Sequence, residues 1–516
     1  MNGERRDVIE ELHREPLDAL IVGGGIVGAG IARDAAMRGL RVGLVEQHDF
    51  ASGTSSRSTR LLHGGLRYLA QGRLGQVRDS SVEKRVIHEI APHLAEPLAF
   101  VFPTYRAGPW APWALWKLRI GVRLYDLLCG GRNFGRSGSL DAEAVRARLP
   151  ALNARNLTGA VRYFDGFTND ARLVIDTLRS AARSGALLLN YCRMEDADLQ
   201  NGLWRCRLKD NLSGARYDVA ARSVINAAGP WAPRLPHSSV RLRLTKGVHL
   251  VIDRERLPIP DAVVMAEGRR ILFAIPWAQR VILGTTDTDF DGVIEEVRAE
   301  PADRRYILDA VNAAFPDARL AENDVISDWA GVRPLIAGSS RGPSDISRAH
   351  EIREPTPGWF DAVGGKLTTY RLMAEQTVDR IVRHLGHSVA PCSTAALPLL
   401  PPDETAGISA IVPPEPSRAL IAHYCRNEWA MHLDDVMLRR TNWRHYRRDA
   451  AQQAGLVAAW MAESFGWNER ERAKEMDSYG ALCRHTQAEG SLGGVKSASS
   501  ASPCSLHRTE GQPPCC

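Results

Sequence analysis

The chain has 516 residues, 44% of them hydrophobic, which is enough to bury a large core and too much for one simple domain, so two or three structural units are expected. The net charge of +6 is a mild excess spread along the chain; basic and aromatic residues are not interleaved on one recognisable module, so no nucleic-acid partner is expected. An anionic small substrate or an anionic membrane surface fits that balance better. The nine cysteines are odd in number and no pair has metal-ligand spacing, which reads as reduced thiols in a cytosolic protein without a metal site. The opening MNGERRDVIEELHREP is charged and lacks an apolar h-region, so no secretory signal is expected. The Trp-rich apolar stretch from Trp110 to Leu128 contains Lys117, Arg119, Arg123 and Asp126, which exclude an ordinary spanning helix. Membrane contact, on this reading, is peripheral.

In chain order, residues 17–22 read as a buried parallel strand, Ala29 to Arg38 as a helix and Arg41 to Glu46 as a second strand, a β-α-β unit. Asp49 to Thr59 is a Ser/Thr/Gly-rich loop expected to lead into a helix. Ala171 to Ser184 reads as helix, Ala186 to Asn190 as strand, and Ser223 to Ala227 as a short buried strand ended by Gly229 and Pro230. From Val240 to Thr286, short alternating apolar runs predict antiparallel strands. Glu300 to Phe315 reads as helix, and Gly364 and Gly365 introduce another from Thr368 to Leu385. A Pro-rich segment from Leu397 to Pro416 reads as a linker, a charged helical segment follows to about residue 482, and Gln487 to Cys516 reads as disordered.

Chemistry enters at Gly23-Gly24-Gly25-Ile26-Val27-Gly28, directly after a strand and opening a helix. Gly23 permits the tight turn, Gly25 lets a pyrophosphate approach the backbone, and Gly28 lets the helix pack closely on the sheet. Glu46 ends the next strand and can accept hydrogen bonds from a ribose. This fingerprint alone does not separate FAD from NAD. A flavin needs two further contacts from distant sequence. The strand end Asn226-Ala227-Ala228-Gly229 and the late turn Gly364-Gly365-Lys366-Leu367-Thr368 supply them, and their order favours FAD. A helix N-terminus at the late turn would stabilise negative charge on reduced flavin.

Several strings then resemble FAD-dependent, quinone-linked glycerol-3-phosphate dehydrogenases. They are Gly53-Thr54-Ser55-Ser56, the run His63-Gly64-Gly65-Leu66-Arg67-Tyr68-Leu69, Lys246-Gly247-Val248-His249, Gly331-Val332-Arg333-Pro334-Leu335, and Gly364 through Arg371. They stand in the family's order from about residue 17 to 385. The resemblance implies oxidation of sn-glycerol 3-phosphate to dihydroxyacetone phosphate, with the C2 hydride passing to flavin N5 and electrons to membrane quinone. It implies a protein at the cytoplasmic face of the inner membrane, with a homodimer as the assembly considered. Departures are Val27, the INAAG turn, and a helical C-terminal domain shorter than that of relatives.

Residue chemistry agrees with a phosphate monoester, whose dianion needs fixed positive charge. Arg67, Tyr68, Arg333 and Lys366 are implied to line the substrate site, and Arg270 is a further phosphate candidate; for each arginine alone, a surface salt bridge is the plainer role. His249 is preferred as the base for the C2 hydroxyl, with Arg333 and Lys366 beside it; His63 is read as a packed residue ordering the flavin loop. Expected cofactor contacts are Gly23, Gly25, Gly28, Glu46, Thr54, Ser55, Ser56, His63, Gly64, Ala228, Gly229, Gly365, Leu367 and Thr368. Two segments are candidate membrane surfaces: the Trp110–Leu128 stretch, otherwise an amphipathic core helix, and the basic run Arg439 to Arg448, otherwise a solvated helix.

The expected fold is α/β: a Rossmann-like FAD-binding domain (1–100, 160–235, 330–385), a mainly antiparallel substrate domain (101–159, 236–329), a linker (386–416), a small α-helical C-terminal domain (417–482) and a tail (483–516). Rival readings are an oxygen-using glycerol-3-phosphate oxidase, an amino-acid or amine dehydrogenase of the same fold, and a flavin-binding protein without catalysis.

Overall fold

The computed structural model describes residues 2–65, 69, 72–106, 114–130, 133–267, 270–337 and 350–486. The β-α-β unit forms as the apolar runs dictate: Ala19–Val22 and Val42–Val45 are fully buried parallel strands flanking the Ile26–Met37 helix. They belong to a six-stranded sheet in the order 350–356, 359–364, 224–226, 19–22, 42–45, 187–189. Its strands pair parallel except for the hairpin His350–Thr356/Trp359–Gly364. The helices Ile26–Met37, Asp170–Arg183 and Tyr370–Leu385 pack on it through one apolar cluster that includes Ile31, Leu173, Leu178 and Val378.

A ten-stranded sheet carries the antiparallel half, with Leu242–Asp253 paired to Arg280–Gly284 on one side and Val325–Ile336 on the other. Long strands Ala95–Tyr105 and Leu157–Thr168 and the short Leu61–Leu62 join the same sheet. Residues 330–336, assigned from sequence to the FAD-binding unit, therefore pair in the antiparallel sheet. The loop after Asp49 leads into a 3-10 turn, Thr54–Ser56, and then this strand rather than into a helix. A separate three-stranded meander spans Cys192–Gln200, Leu203–Asp210 and Arg216–Ala221.

The Pro-rich segment read as a linker packs as a strap. Leu399, Leu400 and Ile411 are buried, and Leu399 N donates to Ile90 O at 2.9 Å. Beyond it the helices Arg418–Asn427, Ala450–Phe465 and Glu469–Thr486 form their own apolar core around Tyr424, Trp443, Val457 and Met461. Residues 487–516, expected to be disordered, lie outside the described residues. Among the described residues no helix is long and apolar enough to cross a membrane.

From Arg439 to His445 the basic run is neither a solvated helix nor a lipid-facing surface, and only Arg448 at its end is exposed. Arg439 and Arg440 are buried, and both donate to Asp49; Arg439 also pairs with Asp434 and Asp435. Trp443, Arg444 and His445 are buried as well. Asp434 and Asp435 are neighbours in sequence, but Asp49, which meets both arginines, comes from a distant segment, so charge density along the chain could not show their fate.

Candidate active site

The fingerprint is a surface into which side chains do not fit. A Cβ on Gly28 would lie 1.9 Å from Gly23 O, and one on Gly23, whose φ is +120°, would lie 2.5 Å from Ala227 O. The strand end at Ala227-Ala228 is thus packed against the first glycine, and Gly229, at φ +53°, opens the next 3-10 turn. Ser55 Oγ accepts from Ile26 N at 3.0 Å, at the first turn of the helix, and a Cβ on Gly25 would approach the same hydroxyl. Ser56 is half-buried in the same turn as Thr54 and Ser55. Glu46 accepts from Gly24 N at 2.8 Å and His48 N at 2.9 Å. Burial pushes its carboxyl above the usual range against the pull of those two N–H groups. Bare backbone at a helix N-terminus with a carboxylate beside it fits a dinucleotide.

Thr54, at the end of that cradle, donates to Val332 O at 2.6 Å, tying the loop to the antiparallel sheet. There a cavity of about 670 Å³ opens between the two sheets. Of the residues singled out from sequence, Thr54, His63, His249, Arg270, Arg333, Gly365, Lys366, Leu367 and Thr368 line it. Arg67 and Tyr68 lie outside the described residues. Gly364 and Gly365 have φ of +75° and +78°, and turn the chain so that Lys366 precedes the 3-10 turn Leu367–Thr369. Thr368 Oγ1 accepts from His63 N at 3.0 Å, which joins the late turn to the His63–Gly64 loop.

Gly64 is held from below. Its N–H donates to Tyr125 Oη and to Asp165 Oδ1, both at 3.1 Å, and Lys84 Nζ bonds the same two groups. A Cβ on Gly64 would meet Tyr125 Oη at 2.1 Å, so only glycine fits here. These three supporting side chains went unnoticed in the sequence, because their spacing carries no motif.

Arg333 crosses the face of Gly247, where a Cβ would sit 2.2 Å from its Nη2. Its guanidinium donates to Thr285 Oγ1 at 2.9 Å and Asp287 Oδ1 at 3.2 Å, which fixes its direction. Lys366 Nζ donates to Ser80 Oγ at 3.3 Å, and Arg270 lies over the Tyr306 ring at 5.4 Å. Arg57, missed although it follows the Thr54–Ser56 turn, is a further cation on the wall. Burial, then the Arg439 guanidinium, draw its pKa down to about 10.

His249 is 1% exposed. Its Nε2 is 2.9 Å from Thr59 Oγ1, and Nδ1 has no hydrogen-bond partner among the described residues. It faces Trp329 across the paired strands, and the rings stack with centroids 5.1 Å apart. Burial, then Arg333 and Arg60, hold its pKa well below the ordinary histidine value, so the imidazole is neutral. A buried neutral imidazole beside fixed cations can accept a proton from a bound anion's hydroxyl.

Comparison with known proteins follows the same lines. The family described as FAD dependent oxidoreductase matches residues 18–380. The chain is 38% identical over 410 residues to the aerobic glycerol-3-phosphate dehydrogenase of Staphylococcus aureus (strain USA300), covering 76% of this chain and 72% of that one. The crystal structure of a glycerol-3-phosphate dehydrogenase from Bacillus halodurans complexed with FAD superposes with a TM-score of 0.75 at 30% identity, covering 94% of this chain and 97% of that one. The L-alpha-glycerophosphate oxidase of Mycoplasma pneumoniae, with FAD bound, aligns over 75% of this chain and 99% of its own with a TM-score of 0.58; at 16% identity this shows a shared fold alone.

Proposed function

This chain belongs to the FAD-dependent glycerol-3-phosphate dehydrogenase family, and we propose that it oxidises the C2 hydroxyl of sn-glycerol 3-phosphate to the ketone of dihydroxyacetone phosphate. The observation that carries this reading is one cavity whose wall carries several cationic side chains, Arg270, Arg333 and Lys366 among them, together with the buried His249. A phosphate dianion is matched by a steered guanidinium and an ammonium, whereas a single carboxylate would need fewer cations.

FAD, when bound along the Gly23–Gly28 cradle and the Gly365–Thr368 turn, supplies the acceptor for the C2 hydride. The protein's own residues do the rest. Arg333, directed by Thr285 and Asp287, and Lys366 hold the phosphate and so fix where C2 stands. His249, whose Nε2 is held by Thr59 Oγ1, takes the hydroxyl proton. Thr368 and the Lys84–Asp165–Tyr125 group keep the His63–Gly64 loop against the cofactor site.

For the electron acceptor we favour a lipid-dissolved quinone. The Leu115–Leu128 helix buries Leu118, Val122 and Tyr125 but leaves Trp116 61%, Ile120 60% and Leu127 72% exposed, with Lys117, Arg119 and Arg123 between them. An apolar stripe edged with cations suits an anionic bilayer surface, and Ile120 and Leu124 of the same helix also wall the cavity.

Anaerobic addition of glycerol 3-phosphate to the purified yellow protein tests the reaction. Bleaching of the flavin band is expected; bleaching by amino acids in its place would overturn the assignment. Quinone reduction compared with oxygen consumption then decides the acceptor. Trp116→Glu with Leu127→Glu should abolish co-sedimentation with phosphatidylglycerol vesicles and leave dye reduction intact.

A further inference from the structure

We propose that the C-terminal helical unit takes part in building the active site: Asn442 fixes the Arg60 guanidinium over Trp329, the ring on which His249 stacks, so that Arg60 is a positioning residue for the base and Asn442 its anchor. This rests on His249 being the base, as argued above.

Three consecutive residues grip the His249–Trp329 pair. Ser58 O accepts from Trp329 Nε1 at 3.2 Å, Thr59 Oγ1 meets His249 Nε2 at 2.9 Å, and the Arg60 guanidinium lies over Trp329 at 5.0 Å and Trp277 at 4.4 Å. Arg60 is itself 1% exposed, and its Nε and Nη1 make no hydrogen bond among the described residues. Its Nη2 donates to Asn442 Oδ1 at 2.5 Å. Asp170 Oδ1 is 3.7 Å from Nε, too far for a hydrogen bond, and accepts from Ala171 N at 3.0 Å, while Oδ2 accepts from Ser58 N and Oγ at 3.0 and 2.7 Å.

Asn442 is built for the contact. It sits at φ +57°, a left-handed conformation that asparagine tolerates better than most residues, between the Asp435–Arg440 turn and the Trp443–Tyr446 helix. Its Nδ2 donates to Asn169 Oδ1 at 3.0 Å, so one amide bridges Arg60 and the first turn of the Asp170–Arg183 helix. The acceptor is neutral. Arg439 and Arg440, a few residues earlier, are given carboxylates instead. A guanidinium hydrogen-bonded to an amide, its nearest carboxylate 3.7 Å away, keeps more of its field than one hydrogen-bonded to a carboxylate, and a retained positive field keeps a nearby imidazole unprotonated.

The charged and titratable groups around the histidine are Arg333 with Asp287, Arg60 with Asp170, and, on Trp329, His445 with Arg444 and Arg57 near it. Burial, then Arg333, then Arg60 set the direction of the His249 shift, and Arg60 is the one whose anchor lies in the C-terminal unit.

The test is the pH dependence of kcat/KM for glycerol 3-phosphate with a dye acceptor, together with titration of 15N-labelled histidine in the holoenzyme, with His249→Asn identifying the signal. Asn442→Asp gives Arg60 a carboxylate; the acid limb and the His249 titration should both move up by about one pH unit, with flavin content unchanged. Arg60→Met should move both the same way, and Arg60→Lys, which keeps the charge, should leave them in place while kcat falls. Coincidence of the Asn442→Asp and Arg60→Met titrations with wild type overturns the proposal. Should wild type fail to reduce the dye, the functional reading falls, and the imidazole titration still decides whether Arg60 and Asn442 govern His249.

Discussion

Two cation-rich regions of this chain, one a contiguous basic run and one gathered from separate strings, end in different environments. At the C-terminal junction Arg439 and Arg440 are buried and met by Asp49, Asp434 and Asp435, while nearby Glu428 receives Arg172. In the cavity, Arg333, Lys366 and Arg270 line open space. Burial by itself would raise Asp49, yet Arg440 and Arg439 outweigh it and hold the carboxyl at about 2. The junction spends its charge internally, on docking the helical unit to the dinucleotide-binding half. The cavity's cations line a space that a ligand can enter, Arg333 with Asp287 beside it. What separates the two is burial and how many carboxylates meet each cation, not the number of arginines.

The sharpest way to break the comparison is Asp49→Ala. It strips buried Arg440 of its hydrogen-bonded carboxylate and Arg439 of one of three, and should cost about 3–5 kcal/mol, read as a large drop in the chemical-denaturation midpoint. Acid acts in the same direction: because the folded-state pKa of Asp49 is depressed, its contribution is present above the usual carboxylate range and is lost as pH falls toward 2. An unchanged midpoint would mean the junction charges do not dock the unit.

The cavity cations should respond in the opposite sense. Arg333→Ala or Lys366→Ala should lower kcat/KM at least ~10-fold, since one charge-assisted contact is worth roughly 1.5–3 kcal/mol. The denaturation midpoint should move far less than in Asp49→Ala. Ordinary kinetics in both variants would put the phosphate elsewhere.

The smallest effect tests the junction's edge. Burial lowers the His432 pKa, but the hydrogen bond that its ring donates to Glu475 and the charge of Asp435 outweigh it and raise the value from 6.5 to about 9. A raised folded-state pKa stabilises fully below 6.5, and the contribution disappears as pH climbs through 9. Melting temperature should therefore decline across that window in wild type, and His432→Gln should flatten the decline. Parallel profiles would show that the pair with Glu475 contributes nothing measurable.

The strands and helices most legible in the sequence were those with strong local pattern. The continuous apolar runs 19–22 and 42–45 and the helices at 170–183 and 301–314 fall within a few residues of where periodicity puts them. The meander at 192–221 was missed, since its strands alternate charged residues with Cys192, Met194, Cys206 and Leu208 and read as mixed surface. Trp116 and Leu127 show the converse: periodicity made the helix apolar, and the fold left one of its apolar faces uncovered.

The sequence by itself determined the dinucleotide cradle, because backbone approach depends on where side chains are missing, and glycines are visible in a string. It also determined the late Gly364–Gly365 turn and, through family-like strings, the cations proposed for the substrate. Tertiary structure alone decided which cations were neutralised, which apolar face stayed exposed, and that Asn442 reaches Arg60 behind the His249–Trp329 pair. Those outcomes depend on partners from remote segments. Desolvation and Coulomb energy are properties of the assembled surroundings, which no local pattern encodes.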